Sequence, residues 1–245
     1  MNLNPELTIW LDYEVGPAGP TSSPSEEIRG GRELEVDLHI HSQYSPDCRS
    51  KPEMIVRRAA ELGLQAIAVT DHESWRGARE AARTALKGLL IVPGAELKTE
   101  RGDLLALFVD AEIHVRAFAD AVDEIHKLGG LAIVPHPGVS PRIGPQDITL
   151  ADGLEVFNAT LSEKANARSA RFAAELKKPG IASSDAHMIL EIGNGATRVP
   201  DCSTLEELRH GLLRNPEISR SIRSNPLLHR MNATMLFGLK GIWKK

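Results

Sequence analysis

The chain has 245 residues, 42% hydrophobic and 25% charged, an ordinary globular composition that is long enough to bury one large α/β core. Its 29 lysines and arginines against 33 aspartates and glutamates leave a formal charge of −4, which excludes an overall pull toward nucleic acid or anionic membranes, so that either would need a local patch. Cys48 and Cys202 lie far apart and outside any Cys-x-x-Cys spacing, which excludes a disulfide framework and suits a reducing compartment.

The start, Met1-Asn-Leu-Asn-Pro-Glu6, lacks the basic region and apolar core of a signal peptide, and no apolar run reaches spanning length. A cytoplasmic protein without a transmembrane segment is expected. Residues 1–34 read as an N-terminal extension and linker, because Gly16-Pro-Ala-Gly-Pro-Thr-Ser-Ser-Pro-Ser25 is rich in turn formers. From Glu35 the pattern becomes strand, loop and helix in repetition. A strand is predicted over Glu35–His41, then a helix opened by the capping-box pattern Ser50-Lys-Pro-Glu53 and closed near Gly63.

Next come a strand at Ala66–Val69, a helix over about Ser74–Leu86, a strand ending at Pro93 and a strand at Leu104–Val109. A helix at about His114–Leu128, a strand at Leu131–Val134, a strand at Asp152–Phe157 and a helix at about Ser162–Lys177 follow. Short strands at Gly180–Ala182 and Ala196–Val199, and a helix begun by Ser203-Thr-Leu-Glu206, complete a domain over residues 35–215. About seven strands alternating with helices predict a parallel sheet closed into a compact, irregular barrel, with its site at the carboxyl ends of the strands. Residues 216–245 form a basic and apolar tail, for which packing against the barrel is favoured over membrane or partner contact.

Metal-binding residue types collect where those strands end. Alternate residues of a strand point to one side, so His39 and His41 can converge on one ion, as can Asp185 and His187. Asp71-His72, Glu96 and His136 each follow a short apolar run. A histidine and carboxylate set without cysteine suits Mn, Zn or Fe. Asp37 has two readings, an orienter of an imidazole or a buried structural carboxylate. Cys48 reads as an inert loop thiol, and His114, His126, His210 and His229 as surface or helix-end residues. Arg168 is expected to pair with a carboxylate.

The ordered motifs Asp37-Leu-His-Ile-His-Ser42 with Ser45-Pro-Asp47, Ala68-Val-Thr-Asp-His72, Val92-Pro-Gly-Ala-Glu96, Pro135-His-Pro137, Gly153-Leu-Glu-Val-Phe-Asn158 and Ser183-Ser-Asp-Ala-His187 resemble those of the PHP (polymerase and histidinol phosphatase) superfamily. The resemblance covers about residues 35–215. It implies a distorted (β/α)7 TIM-like barrel with two or three divalent metal ions and phosphoesterase activity. It further implies that His39, His41, Glu96 and Asp185 hold one ion, that Glu96 bridges to a second ion bound by His136, and that Asp47, His72 and His187 hold a third. Many members place a histidine after the strand of the bridging glutamate. This chain offers Asp103 there.

Phosphoester hydrolysis needs charge neutralised on the phosphoryl group and a hydroxide near neutral pH, and a hydroxide bridging two metal ions is the expected nucleophile. Ser183 and Ser184 read as strand-end hydrogen-bonding residues rather than nucleophiles. His187 or His72 is the candidate for proton transfer to the leaving oxygen, where it is not fully occupied as a ligand. Arg142, Arg198 and Asn158 are candidates for binding substrate, the arginines because a guanidinium matches phosphate oxygens bidentately, while Asn158 has a second reading as a donor to the residues that hold the metal. The expected substrate is a small phosphorylated compound, a nucleotide or a short oligonucleotide end. Two alternatives stand beside it: a nuclease or proofreading-type module, and a catalytically silent metal-binding regulatory protein. The oligomeric state is not legible in the sequence.

Overall fold

The computed structural model describes residues 33–200, 202–214 and 216–226. Most of residues 1–34 and of the 216–245 tail therefore lie outside the described residues, with His229 among them. In chain order the strands are β1 (Leu34–Ile40), β2 (Ala66–Val69), β3 (Leu90–Val92), β4 (Gly94–Lys98) and β5 (Asp103–Leu107), then β6 (Leu131–Val134), β7 (Gly153–Asn158), β8 (Gly180–Ser183), β9 (Gly195–Val199) and β10 (Glu217–Ser221). The helices are α1 (Pro52–Glu61), α2 (Arg76–Arg83), α3 (Phe118–Lys127), α4 (Pro145–Leu150), α5 (Glu163–Leu176) and α6 (Leu205–Leu212).

The strands form two five-stranded sheets, ordered β10-β9-β1-β2-β3 and β4-β5-β6-β7-β8. The α/β expectation holds, but the sheets are mixed and no continuous ladder closes them into a barrel among the described residues. Pro93 ends the predicted strand, and an unpredicted strand, β4, follows at once. The proline has no backbone N–H to continue a ladder, so the chain leaves the first sheet at Val92 and enters the second at Gly94. A side chain at Gly94 would put its Cβ 2.6 Å from the carbonyl oxygen of Ala106, so only glycine lets β4 start this close to β5. Strand β5 runs antiparallel to both β4 and β6, and β9 runs antiparallel to β1. Two isolated bridges join the sheets, Ile40 with Ala186 and His72 with Glu96.

Apolar side chains of both sheets, among them Val36, Leu38, Leu105, Leu107 and Ile133, share one buried cluster. Helices α1 and α2 cover the outer face of the first sheet through Ile55, Val56, Ala59, Ala78 and Ala81, while α3 packs Phe118, Val122 and Ile125 against the second. Along β1, Leu34, Val36 and Leu38 belong to the shared cluster, whereas Ile40 belongs to the outer one beneath α1. The phase changes because the register of β1 on β2 shifts between Asp37 and Ile40. That irregularity turns His39 and His41 toward the space between the sheets.

Several predicted boundaries move. The capping box at Ser50 does not form; Lys51 is the N-cap of α1, without a side-chain cap, and Pro52 opens the helix. Ser162 does cap α5, accepting from Ala165 N, and Thr204 caps α6. Strand β10, which continues the first sheet, lies in the segment expected to be tail. Arg220 of that strand pairs with Glu35, so this tail cation is committed to the domain.

Candidate metal centre

Nine side chains from both sheets converge at the strand ends. Four groups bring one donor atom from each member to within 4.8 Å: His41, Asp47, His72 and His187; His39, His136 and Asp185; His39, His41 and Glu96; and Glu96, Asp103 and His136. Every residue proposed from sequence as a ligand belongs to at least one of them. The groups share His39, His41, Glu96 and His136, so they form one continuous cluster.

The hydrogen-bond partners of the histidines fix which nitrogen faces the centre. His39 Nδ1 is 2.9 Å from Glu155 Oε1, and His41 Nδ1 is 2.9 Å from Ser45 Oγ. Ser45 has one hydroxyl proton, which it donates to Asp71 Oδ1 at 2.9 Å, so its oxygen accepts from His41 Nδ1 and from His72 N. Asp71 is held in turn by Ser42 N and Ser42 Oγ, each at 2.6 Å. A Cβ on Gly77 would lie 1.9 Å from Asp71 Oδ2, so α2 can approach this brace only through a glycine.

With both Nδ1 atoms donating outward, the two Nε2 atoms of His39 and His41 face each other at 3.1 Å. In two neutral rings the lone pairs would repel at that distance, so a cation, a proton on His39 or a metal ion, belongs between or beside them. Glu96 Oε2 lies 3.5 Å from His39 Nε2 and 3.4 Å from His41 Nε2, and Asp185 Oδ1 lies 3.5 Å and 3.2 Å from the same atoms. Glu96 Oε2 and Asp47 Oδ1 are buried without a hydrogen-bond partner. Buried carboxylate oxygens without partners, beside inward-facing imidazole nitrogens, fit a divalent ion.

The electrostatics agree. Burial opposes charge on His39, yet Asp185, Glu155 and Glu96 hold its pKa well above the usual value. His136 and His187 are each raised to about 9, and His72 to about 10; burial opposes this in all three, but carboxylates outweigh it, Glu96 for His136, Asp47 for His187, and Asp47 with Glu96 for His72. Burial would raise Glu96 and Asp185, but the surrounding imidazoles, His39 foremost, hold both well below the usual carboxylate range. The protons that collect in this cluster occupy the places of metal ions. His136 and Asp185 have positive φ, 35° and 50°, a conformation that non-glycine residues adopt at a cost and that recurs at functional sites.

Asp103 opens β5 opposite Lys98 and is brought to Glu96 and His136. Burial, and then the charge of Glu96, raise its pKa. Other expectations change. Asn158 is buried, with its amide group donating to Glu155 Oε2 and Asp185 Oδ2 and its carbonyl oxygen accepting from Thr160 N, which fits the bracing role among its two readings. Arg198 lies across from Glu35 and pairs with Glu33, because antiparallel β9 carries it to the start of β1, away from the histidines. Arg142 is exposed, with Nη1 3.4 Å from Glu100 O, in the loop that follows His136. Asp37 accepts from Ser184 N and Gly193 N, which makes it the structural carboxylate of the two readings; burial raises its pKa to about 6.

Cys48 is buried, contacts the carbonyl oxygens of His41 and His187 and has its pKa pushed up to about 11 by burial, as befits an inert thiol. Arg168 is exposed and lies over the Phe172 ring at 5.5 Å rather than beside a carboxylate. Glu155 and the Ser45–Asp71 brace received no role from sequence. Glu155 was detectable as a lone carboxylate within the apolar strand Gly153-Leu-Glu-Val-Phe157.

Comparison with known proteins decides the family. Residues 37–182 match the PHP domain and residues 163–215 the PHP-associated region. The chain belongs to the PHP family. An uncharacterized protein of Methanocaldococcus jannaschii is 33% identical over 144 residues, which cover 51% of this chain and 82% of that protein. An error-prone DNA polymerase of Mycobacterium bovis is 39% identical over 93 residues, 35% of this chain but 8% of the polymerase. Among solved structures, a two-domain protein of Bacteroides vulgatus containing a predicted PHP-like metal-dependent phosphoesterase aligns with TM-score 0.69 and 22% identity, covering 84% of this chain and 70% of that one. Among the described residues of this PHP chain, no helix is long and apolar enough to cross a membrane.

Proposed function

We propose that this PHP-family chain is a metal-dependent phosphoesterase that hydrolyses a small phosphorylated compound, a nucleotide or an oligonucleotide end, in the cytoplasm. The observation that carries the reading is the 3.1 Å approach of His39 Nε2 to His41 Nε2, with both Nδ1 atoms already committed elsewhere. His39, His41, Glu96 and Asp185 would hold one ion, Glu96, Asp103 and His136 a second, and Asp47, His72 and His187 a third, with Mn, Zn or Fe the metals that suit these donors. Divalent ions bound there supply positive charge against the phosphoryl oxygens and an acidified water.

The residues of the chain do the rest. Glu155, Ser45 and Asn158 hold the ligand side chains in place, so little reorganisation is needed during turnover. Arg142 extends from the loop after His136 and is the side chain proposed to meet a phosphate oxygen. His187 and His72 flank Asp47, their Nε2 atoms 3.3 and 3.2 Å from its Oδ2, and are the candidates to return a proton to the leaving oxygen. The polymerase relative favours a second reading, a nuclease-type module acting on nucleic-acid ends.

A panel of an aryl phosphate, nucleotides and short DNA or RNA, assayed with Mn, separates these readings from a silent regulatory protein. His41→Ala or Asp185→Ala is expected to abolish hydrolysis, whereas Ser184→Ala, whose hydroxyl lies 3.4 Å from the His39 carbonyl oxygen, should keep most of it. A dead Ser184→Ala protein with normal metal content would overturn the mechanism in favour of a serine nucleophile.

A further inference from the structure

Lys98 closes β4 two residues beyond the candidate ligand Glu96, and the antiparallel register sets it directly opposite Asp103. Alternate residues of a strand share one face of the sheet, and so do cross-strand partners, whose Cβ atoms lie about 4.5 to 5.5 Å apart. Glu96, Lys98 and Asp103 therefore rise from the same face. Lys98 stands beside the donor group of Glu96, Asp103 and His136.

A lysine at a strand end is usually a solvated surface residue, but the main chain of this one is fixed to the site. Lys98 N donates to Glu73 Oε1 at 2.6 Å and Lys98 O accepts from Arg116 Nη1 at 2.9 Å, while Arg116 and Glu73 pair with each other. Glu73 follows the candidate ligand His72, and its N donates to Glu96 O. Lys98 is thus held between two ligand-bearing segments. The neighbouring cations are committed, Arg116 to Glu73 and Arg101 to Asp147. Lys98 is exposed and forms no ion pair among the described residues, and its charge acts on the Asp103 carboxyl.

The ion positions differ in this respect. Glu96 is shared between the first and second positions, so Asp103 is the carboxylate that belongs to the second alone, as Asp185 belongs to the first and Asp47 to the third. The cations that act most on Asp185 and Asp47 are imidazoles, whose protons a metal ion displaces. Of the cations that act on Asp103, His136, His72 and Lys98, the lysine keeps its charge when metal binds. An ammonium several ångströms from a divalent ion at a partly exposed site opposes its binding by a factor on the order of ten. We infer that Lys98 is a built-in competitor of the second ion: its ammonium repels the ion and draws on Asp103, so the position of Glu96, Asp103 and His136 binds metal more weakly than a neutral residue at position 98 would allow. Loading of that position, and any turnover that depends on it, then follows metal supply. The inference rests on the second-ion position proposed above.

Calorimetric titration of Mn into the metal-free full chain, with elemental analysis at matched free Mn, tests this without any assay of hydrolysis, so the phosphoesterase reading can fail while the test stands. Lys98→Met keeps the side-chain length and removes the charge. It should tighten the ion that Asp103→Ala loses by about tenfold, or add that ion at low free Mn, and leave the other ions within about twofold. Added salt should narrow the difference. Lys98→Arg, which keeps the charge, should match the wild type, and so should Lys87→Met, which removes an exposed charge in the loop after α2. In an Asp103→Ala background Lys98→Met should bring no gain. Unchanged affinity in Lys98→Met, an equal gain in Lys87→Met, or a gain shared by every ion overturns the inference. Wild-type metal content in Asp103→Ala removes the second position and the inference with it. Loss of an ion in Asp103→Ala beside unchanged affinity in Lys98→Met overturns the inference alone and leaves the second position standing.

Discussion

His39 and Glu155 form a fully buried imidazole–carboxylate pair, with Nδ1 2.9 Å from Oε1. The second carboxylate oxygen takes His136 N and the Asn158 amide, so one side chain from the middle of β7 sets the positions of three groups around the cluster.

Glu155→Gln is expected to fold and to lose about 10- to 100-fold in affinity for the ion held by His39, because the amide supports the imidazole tautomer less well than a carboxylate. Competition with a chelating dye measures this. Affinity within twofold of the wild type would make Glu155 a packing residue.

Gly77 limits the approach of α2 to the site. Gly77→Ala places a methyl group 1.9 Å from Asp71 Oδ2, so either the helix retreats or Asp71 releases Ser42 and Ser45. The second response loosens the Ser45 hydroxyl that holds His41 Nδ1. A lower melting temperature together with weakened metal binding is the expected outcome, and an unaltered protein would show that α2 shifts without disturbing Asp71.

Asp103→Ala should fold normally, carry about one ion fewer and turn over at least about a hundredfold more slowly, since lost charge against the phosphoryl oxygens is felt most in the transition state. Asp103→His should retain the ion, because imidazole can fill the same coordination position. Elemental analysis of the two variants beside their rates decides this, and unchanged metal content in Asp103→Ala would remove Asp103 from the ligand set.

In the metal-free protein His72, His136 and His187 titrate at about 10, 9 and 9, above the ordinary histidine value of about 6.5. Their protonated forms therefore contribute stability that is fully present below about pH 6.5 and is lost as pH rises through 9 to 10. Metal-free protein should melt progressively lower from pH 7 to pH 10. Loading with metal at pH 7 should release protons, seen as a dependence of calorimetric heat on the ionisation enthalpy of the buffer. Loading without proton release would show that these histidines are neutral before the metal arrives.

The residues of the candidate cluster were legible because their signals are local: a two-residue period in β1, and imidazoles or carboxylates that follow apolar runs. What escaped depends on direction and on the second sheet. Arg198 reads as a strand-end cation, but the direction of β9 follows from its pairing with β1, which no local pattern encodes. Gly94–Lys98 escaped because Pro93 reads as a terminator, when it is the point of transfer between sheets. Asn158 was visible as a polar strand end; that its amide is used up by Glu155 and Asp185 depends on a register shift in β7 against β8. Asp37 shares the alternation of His39 by sequence and leaves it through the irregularity in β1.

Among the described residues two isolated backbone bridges join the two sheets, and His72 and Glu96, the partners in one of them, are also candidate ligands. His39, His41 and His72 come from the first sheet, and Glu96, Asp103, His136 and Asp185 from the second or the loops that leave it. Each ion would thus act as a rivet across a seam that backbone pairing leaves nearly open. Removing the ions would loosen the two sheets at this edge while the shared apolar cluster still holds them together, so that amide exchange near Ile40 and Ala186 reports metal occupancy before any substrate is added.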